Sequence, residues 1–295
     1  MRNPNRNSNG WGFLIQDELA LIGARNFCHF TTISTSEIVC KGYNQSECPL
    51  VHYKNQSMYK SMLYCCLSLG LLFSTINRVS ANPPSHDAWD ALLKKYVSAT
   101  GKVNYKGLKT DKTKLEDYLK TLSSNAPEES WSKAEQMAFW INAYNAFTVK
   151  LIVDNYPVSS INKLHGGKPW DHKWIKIGSK TYSLNNIEND ILRPQFKDAR
   201  IHFAVNCAAK SCPPLLNAAW TASNLNSNLD AQAKKFINNS AFNKLSEKKV
   251  EVSKIFEWYA EDFGNLVTFI NKYASTKVGA KAKVVYQEYD WSLNE

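Results

Sequence analysis

Apolar positions after residue 85 fall in helical steps. Trp89, Leu92, Leu93, Tyr96 and Val97 share one face, with Ser85 upstream as a cap. Thr100-Gly101-Lys102 stops that helix, and Val103-Asn104-Tyr105 reads as a short extended piece. Leu115, Tyr118, Leu119 and Leu122 mark a second amphipathic helix, ended by Asn125-Ala126-Pro127. Ser132-Lys133-Ala134-Glu135 has capping-box form and opens the longest helix, from Ser132 to Asn155. That helix carries Met137, Phe139, Trp140, Ile141, Tyr144, Phe147, Val149, Leu151 and Ile152. Apolar residues lie all round it, so it is expected to be central.

The pattern then shortens. Trp174–Ile177 and Lys180–Leu184 flank Gly178-Ser179 and predict a hairpin with a Gly-first turn. Asn185-Asn186-Ile187-Glu188 again has capping-box form and predicts a short helix closed by Arg193-Pro194. Arg200 to Cys207 reads as a buried strand, since Phe203 and Val205 favour one, and Pro213-Pro214 forces the chain to turn. Beyond it come a helix through Leu229, Ala233, Phe236 and Ile237, and a strand from Lys249 to Val252. A helix capped by Ser253, a helix from about Asn265 to Tyr273 and a final strand near Val284 to Tyr289 complete the pattern. The fold class expected is α+β: a single mixed domain, residues 82–295, with a central long helix and a small antiparallel-rich sheet.

The first eighty residues follow a different pattern. Met1 to Ser57 shows no sustained period and is read as an upstream extension. Met58 to Ala81 has a lysine, an apolar run too short to span a bilayer comfortably and a Val79-Ser80-Ala81 cleavage pattern, the layout of a signal peptide. The chain is therefore expected to be exported, periplasmic or secreted, with no membrane span once residues 58–81 are removed. Hydrophobic residues make up 44% of the chain, which excludes wholesale disorder. The formal charge is +10, but the lysines are scattered, and Arg193 and Arg200 are the two arginines beyond residue 82. No nucleic-acid partner is expected, because a groove for one would want an Arg-rich stripe.

Of seven cysteines, Cys207 and Cys212 remain after the expected cleavage, in a compartment that permits disulfides. Two readings stay open for them, a structural disulfide or free thiols. No His or Cys completes a tetrahedral set with them, so neither metal nor cofactor is expected. Cys207 is the candidate nucleophile, His202 the candidate base and Glu188 the candidate orienter. On a regular strand His202 and Cys207 face opposite ways, about 16 Å apart, and form a dyad only if the chain bends after Asn206. His165 or His172 could supply the imidazole instead. Glu188 could equally cap its own helix. Asn142 and Asn145 either hold neighbouring loops or line a substrate site, Arg193 either binds an anion or pairs with an acid, and Ser211 lies where loop N–H groups could bind one.

Several stretches together resemble one family: residues 101–105, 138–146, 183–189, 191–193, 200–207, 211–213 and 253–259 with Asp262-Phe263. They are similar to the domain of unknown function family 547 in its short exported bacterial form, over nearly all of residues 82–295. The resemblance implies a domain rather than an activity. Where many members carry His after the Ile-Glu pair, this chain has Asn189. Two function classes follow. One is a thiol-dependent hydrolase or transferase acting on a small-molecule or peptide ligand. The other is a non-catalytic envelope protein that binds a ligand or partner, with Cys207 and Cys212 bonded. A thiol–disulfide oxidoreductase is a third class, without the C-x-x-C spacing.

Overall fold

The computed structural model describes residues 82–295; the expected extension and signal peptide, residues 1–57 and 58–81, lie outside the described residues. The described chain is α+β. Helices α1 (Asp87–Tyr96), α2 (Tyr105–Thr110) and α3 (Lys112–Ser124) lead to α4 (Lys133–Asn155). The Ser132 hydroxyl accepts from the Glu135 N–H at 3.2 Å and the Glu135 carboxylate accepts from the Ser132 N–H at 2.7 Å, so the predicted capping box starts α4. Its side chains from Met137 to Val149 are all buried, which is why its sequence shows no polar face. Tyr105, expected to be extended, instead begins α2, because the Asn104 side chain accepts from the Gly107 N–H at 2.7 Å and caps it.

The hairpin forms as expected, β1 (Ile175–Ile177) against β2 (Lys180–Tyr182), turning at Gly178 with φ of 58°. The next turn is wound in π fashion over Asn186–Leu192, with the Arg193 N–H bonded to the Glu188 carbonyl five residues back. It runs straight into α5 (Arg193–Phe196), so Arg193-Pro194 continues the helix rather than closing it: proline is tolerated in a first turn. The capping pair lies two residues upstream of the expected one. Ser183 and Asn186 exchange bonds at 3.0 and 3.1 Å, which frees Glu188 to point inward.

The strand expected at Arg200–Cys207 is absent. Ala199–Phe203 is a 3₁₀ turn, begun by Asp198, whose carboxylate accepts from the Arg200 N–H at 3.0 Å. Residues 201–209 are buried on every side, so their apolar run carried no period to distinguish strand from turn. The rest of the chain is α6 (Leu225–Ile237), β3 (Lys244–Leu245), β4 (Lys249–Val252), α7 (Ile255–Trp258), α8 (Ala260–Phe263), α9 (Leu266–Tyr273) and β5 (Lys283–Tyr286). Instead of one small sheet, the described residues form two. The β1–β2 hairpin stands alone, and β4 pairs antiparallel with β3 but parallel with β5, Val250 opposite Val284.

Two hydrophobic clusters fill the domain. One surrounds α4 and takes in Trp89, Tyr118, Ile187, Ile201 and Cys207. The other gathers Phe203, Phe236, Phe256, Phe263 and Ile270 against β4. Gly101, with φ of 84°, lies against the Cys207–Pro214 loop so closely that a Cβ there would stand 2.4 Å from Pro214 Cβ.

Candidate functional site

The loop after the 3₁₀ turn is fixed from three directions. From α4, Asn145 accepts from the Asn206 N–H at 2.8 Å and donates to the Ala204 carbonyl at 2.9 Å. Asn206 in turn accepts from the Ala208 N–H and donates to the Pro213 carbonyl. From the C-terminal segment, the Ser292 carbonyl accepts from the Lys210 N–H at 2.7 Å, the Asp290 carbonyl accepts from the Ser211 N–H at 3.2 Å, and the Asn294 N–H donates to the Ala208 carbonyl at 3.2 Å. Ala208 is held at φ of 61°, a left-handed conformation that an alanine adopts only under such restraint.

This loop brings Cys207 and Cys212 together as free, buried thiols. The Cys207 N–H donates to Cys212 Sγ at 3.0 Å, and Cys207 Sγ lies 3.2 Å from the Tyr289 hydroxyl. Burial opposes the Cys207 thiolate, but hydrogen bonds from Cys212, Tyr289 and the Ala209 N–H outweigh it, and the pKa is lowered. Cys212 is pushed well above the usual thiol range by burial and by its charged neighbour Cys207. Burial also keeps the Tyr289 phenol protonated, as a donor needs to be.

Hydrogen bonds among His202, Glu188 and Cys207 do not follow the expected chain from orienter to base to nucleophile. His202 Nε2 is 2.7 Å from Asp262 Oδ2, and the ring stacks on Tyr259 with centroids 3.9 Å apart. Asp262 also accepts from Arg193, Nε at 2.5 Å and Nη2 at 3.0 Å. Burial alone would raise the Asp262 pKa, but the His202 and Arg193 bonds hold it well below the usual carboxylate range. Arg193 lies 5.0 Å over the Tyr259 ring. Glu188 is wholly buried; its Oε1 accepts from the Tyr259 hydroxyl at 2.6 Å, so its capping reading fails. Its other oxygen, Oε2, and the buried Tyr144 hydroxyl have no hydrogen-bond partner among the described residues. The π turn explains the placement of Glu188, since the extra residue it inserts turns Ile187, Glu188, Ile191 and Leu192 all inward.

Asn142 exchanges two bonds with the Trp220 backbone, at 2.7 and 3.0 Å, and Asn145 spends both ends of its amide on the 204–206 backbone. Both act as loop ties, and neither presents a free polar end. Arg193 pairs with an acid, Asp262. The Ser211 hydroxyl accepts from the Asp290 N–H at 2.9 Å. His165 and His172 stack on each other, centroids 3.9 Å apart, and are exposed. Sequence reasoning missed Tyr289, Tyr144 and Asp262 as neighbours of the site. Asp262 and Tyr259 stood within the quoted stretches, whereas Tyr289 lay in an expected strand and carried no signal. Among the described residues no group of three or more His, Cys, Asp or Glu could hold a metal, and no helix is long and apolar enough to cross a membrane.

The fold and site together define an α+β domain built round a buried pair of thiols. Residues 128–237, from the approach to α4 through the end of α6, match the family described as "Protein of unknown function, DUF547". No curated protein and no solved structure matches the chain.

Proposed function

We propose that the protein is a thiol-dependent hydrolase or transferase with Cys207 as its nucleophile. The observation that carries this reading is the Tyr289 hydroxyl 3.2 Å from Cys207 Sγ, a donor that favours a thiolate without an imidazole beside it. Cys207 attacks an electrophilic carbon, and the leaving group takes a proton from a buried acid. Glu188 fills that role better than His202: its Oε2 has no partner among the described residues, whereas His202 Nε2 is taken up by Asp262. His202, held by Asp262 and stacked on Tyr259, positions Tyr259 and through it Glu188.

Iodoacetamide at a pH below neutral should alkylate Cys207 faster than Cys212, and Tyr289→Phe should slow that reaction with the melting temperature unchanged. A Cys207 rate no different from that of a simple thiol rejects the nucleophile. A second reading has an observation of its own. Cys207 is 1% exposed, under the 290–294 segment, which suits a non-catalytic envelope protein that binds a ligand or partner. Export to the periplasm or medium belongs to both readings, and N-terminal sequencing of the cell product should then begin at Asn82.

A further inference from the structure

We propose that Cys212 is a resolving thiol, so that Cys207 and Cys212 interconvert between dithiol and disulfide by exchange with a low-molecular-weight disulfide. The inference rests on the nucleophilic reading of Cys207 and adds a redox activity to it. Three features of the loop support it.

The first is proximity. Cys212 Sγ sits 3.0 Å from Cys207's own backbone nitrogen and 3.8 Å from the Val205 carbonyl, folded back over the residue it would resolve. Both side chains therefore lie within the one short loop, on the same side of the Cys207 backbone nitrogen as Cys212 Sγ requires for its bond to that N–H. The second is the turn between them. The Cys212 N–H donates to the Ala209 carbonyl at 3.0 Å, and left-handed Ala208 bends the chain. The third is division of labour. Tyr289 serves Cys207, which favours attack by that sulfur, while Cys212 keeps its proton until a mixed disulfide forms beside it.

The exchange balances in two steps. The Cys207 thiolate attacks one sulfur of the small disulfide, forming a mixed disulfide and expelling one thiolate. Cys212 then loses its proton to that thiolate and attacks Cys207 Sγ, forming the Cys207–Cys212 bond and expelling the second thiolate. The second thiolate takes up the proton that Cys207 had released to solvent, so the protein gives up two electrons and two protons, and the small disulfide becomes two thiols.

Oxidised glutathione is the probe, added to the reduced full chain at neutral pH, followed by acid quench, alkylation and non-reducing tryptic mapping. Cleavage after Arg200, Lys210 and Lys234 puts Cys207 in residues 201–210 and Cys212 in residues 211–234, apart from the five upstream cysteines. The expected product is a linked 201–210/211–234 pair, lost on mild reduction, with only transient glutathione on residues 201–210. Cys212→Ser should accumulate that adduct, and Cys212→Ala should do the same if the serine disturbs the fold, as circular dichroism would show. A lasting adduct on Cys207 in the wild type with Cys212 still alkylatable overturns the proposal and leaves the nucleophile standing. Failure of Cys207 to react with either glutathione or iodoacetamide overturns both. A linked pair formed while Cys207 alkylates like a simple thiol supports redox pairing and rejects the hydrolase or transferase.

Discussion

The two hydrophobic clusters bury polar groups in different ways. Around α4 the buried polar side chains are mostly amides tied to backbone, Asn142 on Trp220 and Asn145 on the 204–206 loop. Its buried imidazole, His86, meets a neutral partner, the Tyr118 hydroxyl, at 2.9 Å. Around Phe203 the packing is ring on ring, with Phe236, Phe256, Phe263 and Phe269 all within 6.2 Å between centroids. At that edge the protein admits charge: His202 lies between the Tyr259 ring and the Asp262–Arg193 pair. A buried amide with both ends bonded costs little and specifies loop position, whereas a carboxylate beside a buried histidine holds its energy in a few charge-assisted bonds. The α4 cluster therefore fixes the thiol loop with neutral amide ties, whereas the edge of the Phe203 cluster holds the charged pair.

Emptying either cluster should have the largest effect. Phe139→Ala, at the meeting of Trp131, Trp140 and His86, should cost about 3–5 kcal/mol in urea unfolding, and Phe203→Ala a similar amount. The two should differ in hydrogen exchange. Phe203→Ala should expose α9 and β4 while α4 stays protected, and equal loss of protection everywhere would mean that the clusters unfold as one.

Acid should separate the two histidine environments next. Burial, opposed weakly by Asp87, lowers the His86 pKa to about 4. Unfolded, it titrates near 6.5, so the folded state resists a proton the unfolded state accepts. Stability should be full above about pH 6.5 and fall toward pH 4 by about 3 kcal/mol, and His86→Gln should flatten that slope. Asp262 acts lower on the scale: its depressed pKa contributes stability above the ordinary carboxylate range that is lost as pH falls through the folded value.

Asp262→Asn should cost about 1–3 kcal/mol at neutral pH, since it leaves His202 and Arg193 without their shared carboxylate. It should leave iodoacetamide alkylation of Cys207 unchanged, because Tyr289 and not His202 stands on that sulfur; slowed alkylation would tie the His202 pair to the thiol. The smallest effect belongs to the surface. Lys120→Ala breaks an exposed pair with Asp117, where water screens the charges, and should leave the urea midpoint unchanged.

Periodicity and capping by themselves determined the scaffold. The α1, α3, α4, α6 and α9 helices and the β1–β2 hairpin follow from apolar spacing and from Ser132, Asn265 and Gly178, because those signals act within a few residues. The α+β class was legible for the same reason. Only tertiary structure decided the site. A run buried on all sides, 201–209, has no period, so a 3₁₀ turn and a bent loop passed for a strand. Glu188 fitted a local capping box, yet Ser183 capped the turn and the π winding sent Glu188 to Tyr259. Tyr289 reaches Cys207 across 82 residues of sequence, and Asp262 reaches His202 across 60. Contacts made at such separations depend on how the clusters pack, and nothing in the local pattern of residues encodes them.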